Sequence, residues 1–451
     1  MKIYPDTKIY MVCPANIHSG GPELCHQLVS QLVQFGVNAY IFYLEADRGN
    51  FNSENPVDDF YKKYHCPYVL QIEDEPQNIL IMNETGNWLY SAFKNVRKIF
   101  WWMSVDNYLQ NMSTFFSQRM ANPLAEPMPK FFYFQNDETE HWVQSEYARQ
   151  FLELNGVPAT KVYSVEDYLN QTFWINAGNI DLSEKQDIIV FNPLKGLDVT
   201  KKLVDMGPNI YWAPIRNMTP AEVQDLLAAS KVYIDFGNHP GKDRIPREAA
   251  LSGCVVITGK RGAAANDIDI NIPDEFKFGE TDEDLPRIME KIFDVFENFG
   301  VNYLKQEEYR KRILDDKARF AREVAAAFNI TPPERQPFAV VQGLSEKGLN
   351  FINMLLTQNI IPNFIIDDTF CDMRNFEDNG VIKTSNNTNY FILPNLPGYG
   401  IMIISSEDAK FLYNEGRIKK FALLTPTDEE IESAFETFDP AREDLLVFNP
   451  N

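Results

Sequence analysis

The sequence predicts an α/β chain of three domains, and three observations carry that reading. Short apolar runs of strand length alternate with longer amphipathic stretches. The alternation starts afresh at "QDIIVFNP" (186–193) and again at "FAVVQG" (338–343). A proline-bearing segment, "NITPPERQP" (329–337), separates the last restart from what precedes it. Length agrees, because 451 residues exceed one ordinary core and domains run to roughly 100–200 residues.

In chain order, "KIYMVCPAN" (8–16) reads as a buried strand, and "SGGPELCHQLVSQLVQFG" (19–36) as a turn and an amphipathic helix ending at Gly36. "NAYIFYLE" (38–45) completes a β-α-β unit. Further strands are expected at "NILIMNE" (78–84), "RKIFWWMS" (97–104), "KFFYFQN" (130–136) and "HWVQS" (141–145), with helical stretches at 85–95 and 146–155. These make a first Rossmann-like domain over residues 1–178. A second, over 179–330, has strands at 186–193, 209–215, 231–237 and 254–259, helices near 198–206 and 219–229, and a long charged helix at 303–328. A small α/β domain over 338–451 has a helix around 345–357 and strands at "PNFIIDD" (362–368), "YGIMIISSED" (399–408) and "DLLVFNPN".

Composition narrows the partners. The chain carries 64 Asp and Glu against 42 Lys and Arg, a formal net charge of -22, which argues against a broad nucleic-acid surface or general attraction to anionic lipid. Any phosphate site must then be made locally. Cys13, Cys25, Cys66, Cys254 and Cys371 show no C-x-x-C spacing and leave one over if paired, which suits free thiols in a reducing compartment. The N-terminus has no long apolar signal core, and no run approaches the ~20 apolar residues of a membrane span, so a cytoplasmic protein with at most peripheral membrane contact is expected.

The chemistry-bearing residues collect at strand-to-helix junctions. In "CPANIHSGGPELC", His18 precedes Gly20 and Gly21, glycines that let backbone approach a ligand while a helix N-terminus offers N–H groups to an anion. An ordinary tight turn explains the spacing as well. In "FNPLKGLDVTKKL", Lys195 and Gly196 stand at the carboxyl edge of the second sheet, where open α/β sheets bind ligands. A solvated turn lysine is the plain alternative. In "YIDFGNHPGKDRIPREAALSGCVVITG", His239, Gly241, Lys242, Arg244 and Arg247 lie between a strand and a short helix. Cations this close need an anion, either a bound diphosphate or the chain's own Asp235, Asp243 and Glu248. Glu84 in "IMNETGNW" and Asp106 in "WWMSVDNYL" follow apolar strands, placed to meet sugar hydroxyls or take a proton, or simply to cap helices. No cluster of His, Cys and carboxylates is read as having metal-ligand spacing, so no metal is expected.

Two α/β domains of similar size facing across a cleft, with Gly-bearing loops at their strand ends, resemble the GT-B fold. The resemblance is to the family 4 (group 1) glycosyltransferases of bacterial polysaccharide biosynthesis and covers roughly residues 7–330. "SGGPELCHQLVSQLVQFG" resembles that family's first Gly-rich loop and helix; "NPLKG" stands at its strand-end lysine segment; "IPREAALSGCVVIT" resembles its "EAMA-x-G-x-PVI" segment. The resemblance implies a nucleotide-sugar site in which Glu248 meets the ribose and Pro214 and Ile215 of "NIYWAPI" lie near the base. It places Lys195, Lys242 and Arg244 at the diphosphate, with Gly20 and Gly21 approaching closely, and leaves His18, Glu84 and Asp106 for acceptor contact or base duty. The family also has a glutamate eight positions earlier; here that position is Pro240, beside His239.

The expected activity is therefore metal-independent transfer of a sugar from a nucleoside-diphosphate sugar to a hydroxyl of a glycan or glycolipid precursor, without a cofactor. A catalytically silent GT-B scaffold binding a nucleotide or glycan, and a two-domain sugar-nucleotide epimerase, are the alternatives. Residues 338–451 lie outside the resemblance. Gly343, Gly348, Asp367 and Asp368 give them a faint nucleotide-binding look, and a packing or homo-oligomerisation module is expected there.

Overall fold

The computed structural model describes residues 1–44, 56–64, 66–84, 86–121, 138–170, 173, 180–332, 334–358, 360–369, 401–414, 416 and 418–448. The expected strand at 130–136 and Cys371 lie outside the described residues. The chain forms two compact units. One gathers described residues of 1–25, 42–56 and 70–329, and the other those of 26–41, 57–69 and 330–451. Both expected N-terminal domains thus share a unit, whereas residues 26–41 and 57–69 group away from their chain neighbours, which sequence order does not reveal.

The first unit carries two parallel sheets. In the first, β1 (Ile9–Pro14), β4 (Ile79–Asn83), β5 (Arg97–Trp102), β6 (Thr139–Val143) and β7 (Val162–Ser164) lie side by side. The central β1 and β4 are almost wholly apolar (Ile79, Leu80, Ile81 and Met82 are fully buried), as a sheet covered on both faces requires. Helix α1 (Gly20–Gln34) follows β1, and Ala15 beyond β1 donates to the carbonyl of Leu44, the last residue of β2 (Ala39–Leu44), at 2.5 Å. The two-residue β3 (Tyr68–Val69) belongs to the second unit. The expected helix at 85–95 is only a 3₁₀ turn, Asn87–Ser91. Helix α2 (Val105–Ala121) escaped the sequence reading. Its buried apolar residues, Val105 and Tyr108, are confined to its first turn, while Leu109, Phe116 and Met120 are exposed, which blurs the pattern that periodicity detects. Helix α3 (Glu146–Leu154) is capped by Ser145.

The second sheet has β8 (Gln186–Phe191), β9 (Tyr211–Pro214), β10 (Ser230–Asp235) and β11 (Val255–Thr258) in the order β11-β10-β8-β9. The chain passes from β8 outward to β9 through α4 (Leu197–Met206), then returns through α5 (Pro220–Ala229) to β10 on the other side of β8. That reversal opens a crevice at the carboxyl ends of β8 and β10, the place where such sheets hold ligands. Helix α6 (Arg244–Leu251) joins β10 to β11, and α7 (Leu285–Glu297) follows. The long helix expected at 303–328 is broken into α8 (Phe299–Lys305) and α9 (Glu307–Phe328). The break falls at Gln306, whose side-chain amide pairs with Val256 on the sheet edge, accepting from its N–H (2.9 Å) and donating to its carbonyl (2.8 Å).

In the second unit, β12 (Glu334–Val340), β13 (Ile360–Ile366), β14 (Met402–Ile404), β15 (Lys420–Leu424) and β16 (Leu445–Phe448) form a parallel sheet in the order β14-β13-β12-β15-β16. Helices α10 (Glu346–Thr357), α11 (Ser406–Asn414) and α12 (Asp428–Phe438) accompany it. The expected proline linker already enters β12 at Glu334. Among the described residues no helix is long and apolar enough to cross a membrane.

Candidate functional site

The loop after β8 turns sharply because Gly196 adopts φ 58°; an added Cβ would lie 2.4 Å from the carbonyl carbon of Phe236. Across the crevice, a Cβ on Gly237 would lie 2.3 Å from that of Lys195, so both glycines are fixed by the approach of the β8 and β10 loops. Lys195, three-tenths exposed, extends to Asp243, with Nζ 2.5 Å from Oδ2. The same Asp243 oxygen lies 3.0 Å from Nδ1 of His239, whose other nitrogen is 3.6 Å from Oδ1 of Asp235. Burial alone would make His239 less basic; the flanking Asp243 and Asp235 outweigh it and raise its pKa. Burial would likewise raise Asp243, but His239 and Lys195 hold it below the usual carboxylate range.

Asp235, His239 and Asp243 therefore converge, their ligand-capable atoms all within 4.8 Å, which corrects the reading that no such cluster exists. The arrangement does not suit a metal ion. The carboxylates lie at opposite ring nitrogens, Asp235 already accepts from the Tyr233 hydroxyl (3.0 Å) and the Gly237 amide (3.0 Å), and Lys195 occupies Asp243.

Arg244, at the start of α6, reaches the head of α1, the helix that follows β1. It donates to Glu23 in α1, its Nε lies 3.9 Å from Glu248, and a Cβ on Gly20 would sit 3.1 Å from its Cδ. Gly20, Arg244 and Glu248 are thus brought together, with Glu23 as a member the sequence reading missed. Gly21 lies beside Met103, at ordinary contact distance. Burial raises the Glu248 pKa against the pull of Arg244 and Arg247. The loop 237–243 packs against the segment that follows β5 and starts α2. Gly241 has no room for a Cβ (2.3 Å from the Met103 carbonyl oxygen), Val105 donates to the Pro240 carbonyl (3.1 Å), and Asn238 donates to Asp106 (2.7 Å). Asp106 also accepts from the Tyr147 hydroxyl (3.1 Å).

Lys242 has a different place from that expected. It is buried, with Nζ 2.6 Å from Glu166 and 3.0 Å from Asp316. Arg247, equally buried, grips both oxygens of Asp167 (2.7 and 2.8 Å) and Asp316 (3.0 Å). Although burial favours its neutral form, the guanidinium of Arg247 holds Asp167 down at about 2. These two cations tie the start of α6 to α9 and to the segment after β7. Their acids come from 69 to 80 residues away, a separation no local pattern exposes.

Glu84 is buried too, its carboxylate accepting from the Met103 amide (3.2 Å), and burial pushes its pKa up to about 7. It braces the turn into α2. His18 is exposed in the loop after β1. Pro214 and Ile215 end the edge strand β9, with Ile215 donating to the Phe191 carbonyl at 2.9 Å.

No family model and no curated protein matches the chain. Solved structures do. HepE of Anabaena in complex with UDP is similar at 11% identity and a TM-score of 0.48, over 71% of this chain and 99% of that one. WaaG, a glycosyltransferase involved in lipopolysaccharide biosynthesis, is similar at 10% and 0.44 over 70% and 98%. Sucrose-phosphate synthase of Thermosynechococcus elongatus is similar at 12% and 0.45 over 71% and 100%.

Proposed function

We propose that this chain is a GT-B-type glycosyltransferase, moving a sugar from a nucleoside-diphosphate sugar to a hydroxyl of a glycan or glycolipid precursor in surface polysaccharide assembly. One observation carries the reading. The crevice between β8 and β10 presents Lys195 on glycine-shaped loops, paired with Asp243, and Arg244, the next residue after Asp243, meets Gly20 at the head of α1. A diphosphate there is met by one point charge and one planar guanidinium, and the Nε of Arg244 still lacks a hydrogen bond. As the sugar leaves, those cations offset the charge developing on the diphosphate, so the chemistry is metal-independent. Glu248, one helical turn beyond Arg244, faces the ribose; Pro214 and Ile215 border the base. Lys242 acts by holding α6 in place.

Nucleotide release from a panel of sugar nucleotides, with EDTA present, tests this. Turnover that EDTA leaves intact and Lys195→Ala abolishes is the expected result. Nucleotide binding without turnover on any acceptor would instead favour the silent scaffold, a reading supported by Pro240 standing where a second glutamate is expected and by every cation of the loop already meeting a carboxylate.

A further inference from the structure

His239 is fully buried, and neither ring nitrogen makes an aligned hydrogen bond, although carboxylates stand 3.0 and 3.6 Å from them. Its main chain is pinned as well: its carbonyl accepts from Ala263 (2.8 Å), and Gly262, at φ 58°, has no space for a Cβ against that oxygen (2.1 Å). An imidazole fixed this firmly between two acids, off the hydrogen-bonding angle of either, is held by charge more than by hydrogen-bond direction. One of those acids, Asp243, is the carboxylate on which Lys195 rests.

We propose that His239 is a positioning residue for the donor site: as an imidazolium between Asp235 and Asp243, it shares the charge of Asp243 and so leaves Lys195 available to a diphosphate. The inference rests on the nucleotide-sugar reading of this site. When His239 is charged, Asp243 faces two cations, and an incoming diphosphate draws Lys195 away at little cost. When His239 is neutral, the whole charge of Asp243 falls on Lys195, and the pocket loses one positive charge. Donor affinity therefore falls as pH rises through the His239 titration.

The groups facing His239 are Asp235 on β10 (itself bonded to Tyr233), Asp243 before α6, Lys195 after β8, and Glu280 beyond β11, whose carboxyl burial holds above its ordinary value. Of these, only His239 has an ordinary pKa near neutrality, at about 6.5.

The test is calorimetry of the full chain with UDP-glucose, GDP-mannose and ADP-glucose from about pH 6 to about pH 9. Their diphosphate is a diester whose charge does not change over that range. The expected result is affinity that weakens about tenfold on going up in pH, against a flat and uniformly weaker profile for His239→Gln. A wild-type affinity flat with pH overturns the inference and leaves the transferase reading standing. Failure of all three donors to bind overturns that reading and takes this one with it. Independently of the variant's folding, NMR of ring-labelled histidines in the wild-type chain should show His239 protonated at about pH 6 and rising in pKa when donor binds. A ring neutral at that pH sinks the proposal.

Discussion

At the carboxyl end of the second sheet, between β8 and β10, glycines keep backbone close and Lys195 is left part-exposed on a single carboxylate. At the equivalent reversal in the second unit, between β12 and β15, the chain fills its own crevice. The Gln342 amide donates to the Leu424 carbonyl (2.9 Å) and accepts from its N–H (2.8 Å), and Lys347 pairs with Glu430 (2.8 Å). Asp367 and Asp368, acids a nucleotide-binding sheet could use for ribose, are spent on the Leu344 amide (2.8 Å) and on Ser406 at the head of α11 (2.7 Å). The two reversals thus share a topology but differ in what crosses them, glycine-shaped loops in the first unit and a side-chain amide bridge in the second. A crevice becomes a site only where its polar groups are left with something to bind.

The largest effect expected is on the support beneath the open crevice. Asp316→Ala leaves Lys242 and Arg247 short of a buried partner and should cost about 3–5 kcal/mol in denaturant unfolding of the first unit's transition. A cost under about 1 kcal/mol would show that α6 is held by packing alone. The pH dependence has a definite sign. Asp167 is depressed to about 2, so its contribution is present above 3.8 and is lost only as pH falls through about 2.

Next in size is the contrast in ligand binding. Lys195→Ala should weaken donor binding by roughly 10- to 100-fold in calorimetry, as loss of a charged hydrogen bond predicts, while Lys347→Ala should leave it unchanged. Equal losses from the two would erase the distinction drawn between the sheets. Gly237→Ala should act in the same direction as Lys195→Ala, because the new methyl displaces the lysine stem, and a measurable fall in affinity with retained circular dichroism would show it.

A smaller effect is expected in the closed sheet. Gln342→Ala should cost about 1–2 kcal/mol, since it leaves both the N–H and the carbonyl of Leu424 without their partner. Lys347→Ala, removing a part-exposed pair, should cost less than about 1 kcal/mol in the same thermal unfolding series.

The α/β class, the two restarts of the pattern and most strand positions were legible in the sequence, because buried parallel strands are unbroken apolar runs and glycines mark their ends. β8, β10 and β11 fall within a residue or two of their expected ranges. Helix α2 was not legible, because most of its apolar residues beyond the first turn are exposed, nor was the break at Gln306, whose side-chain amide pairs with Val256, 50 residues away. Lys195, Gly196 and Arg244 do stand between strand and helix, as the sequence places them.

By itself, then, the sequence determined which residue types stand at each strand end, since that depends on local spacing alone. Only the tertiary structure decided what each charge is for. Glu166, Asp167 and Asp316 claim Lys242 and Arg247 for the framework, while Asp243 alone restrains Lys195. A charge is satisfied by whatever lies within a few ångströms of it, and those neighbours are brought there by folding rather than by sequence distance.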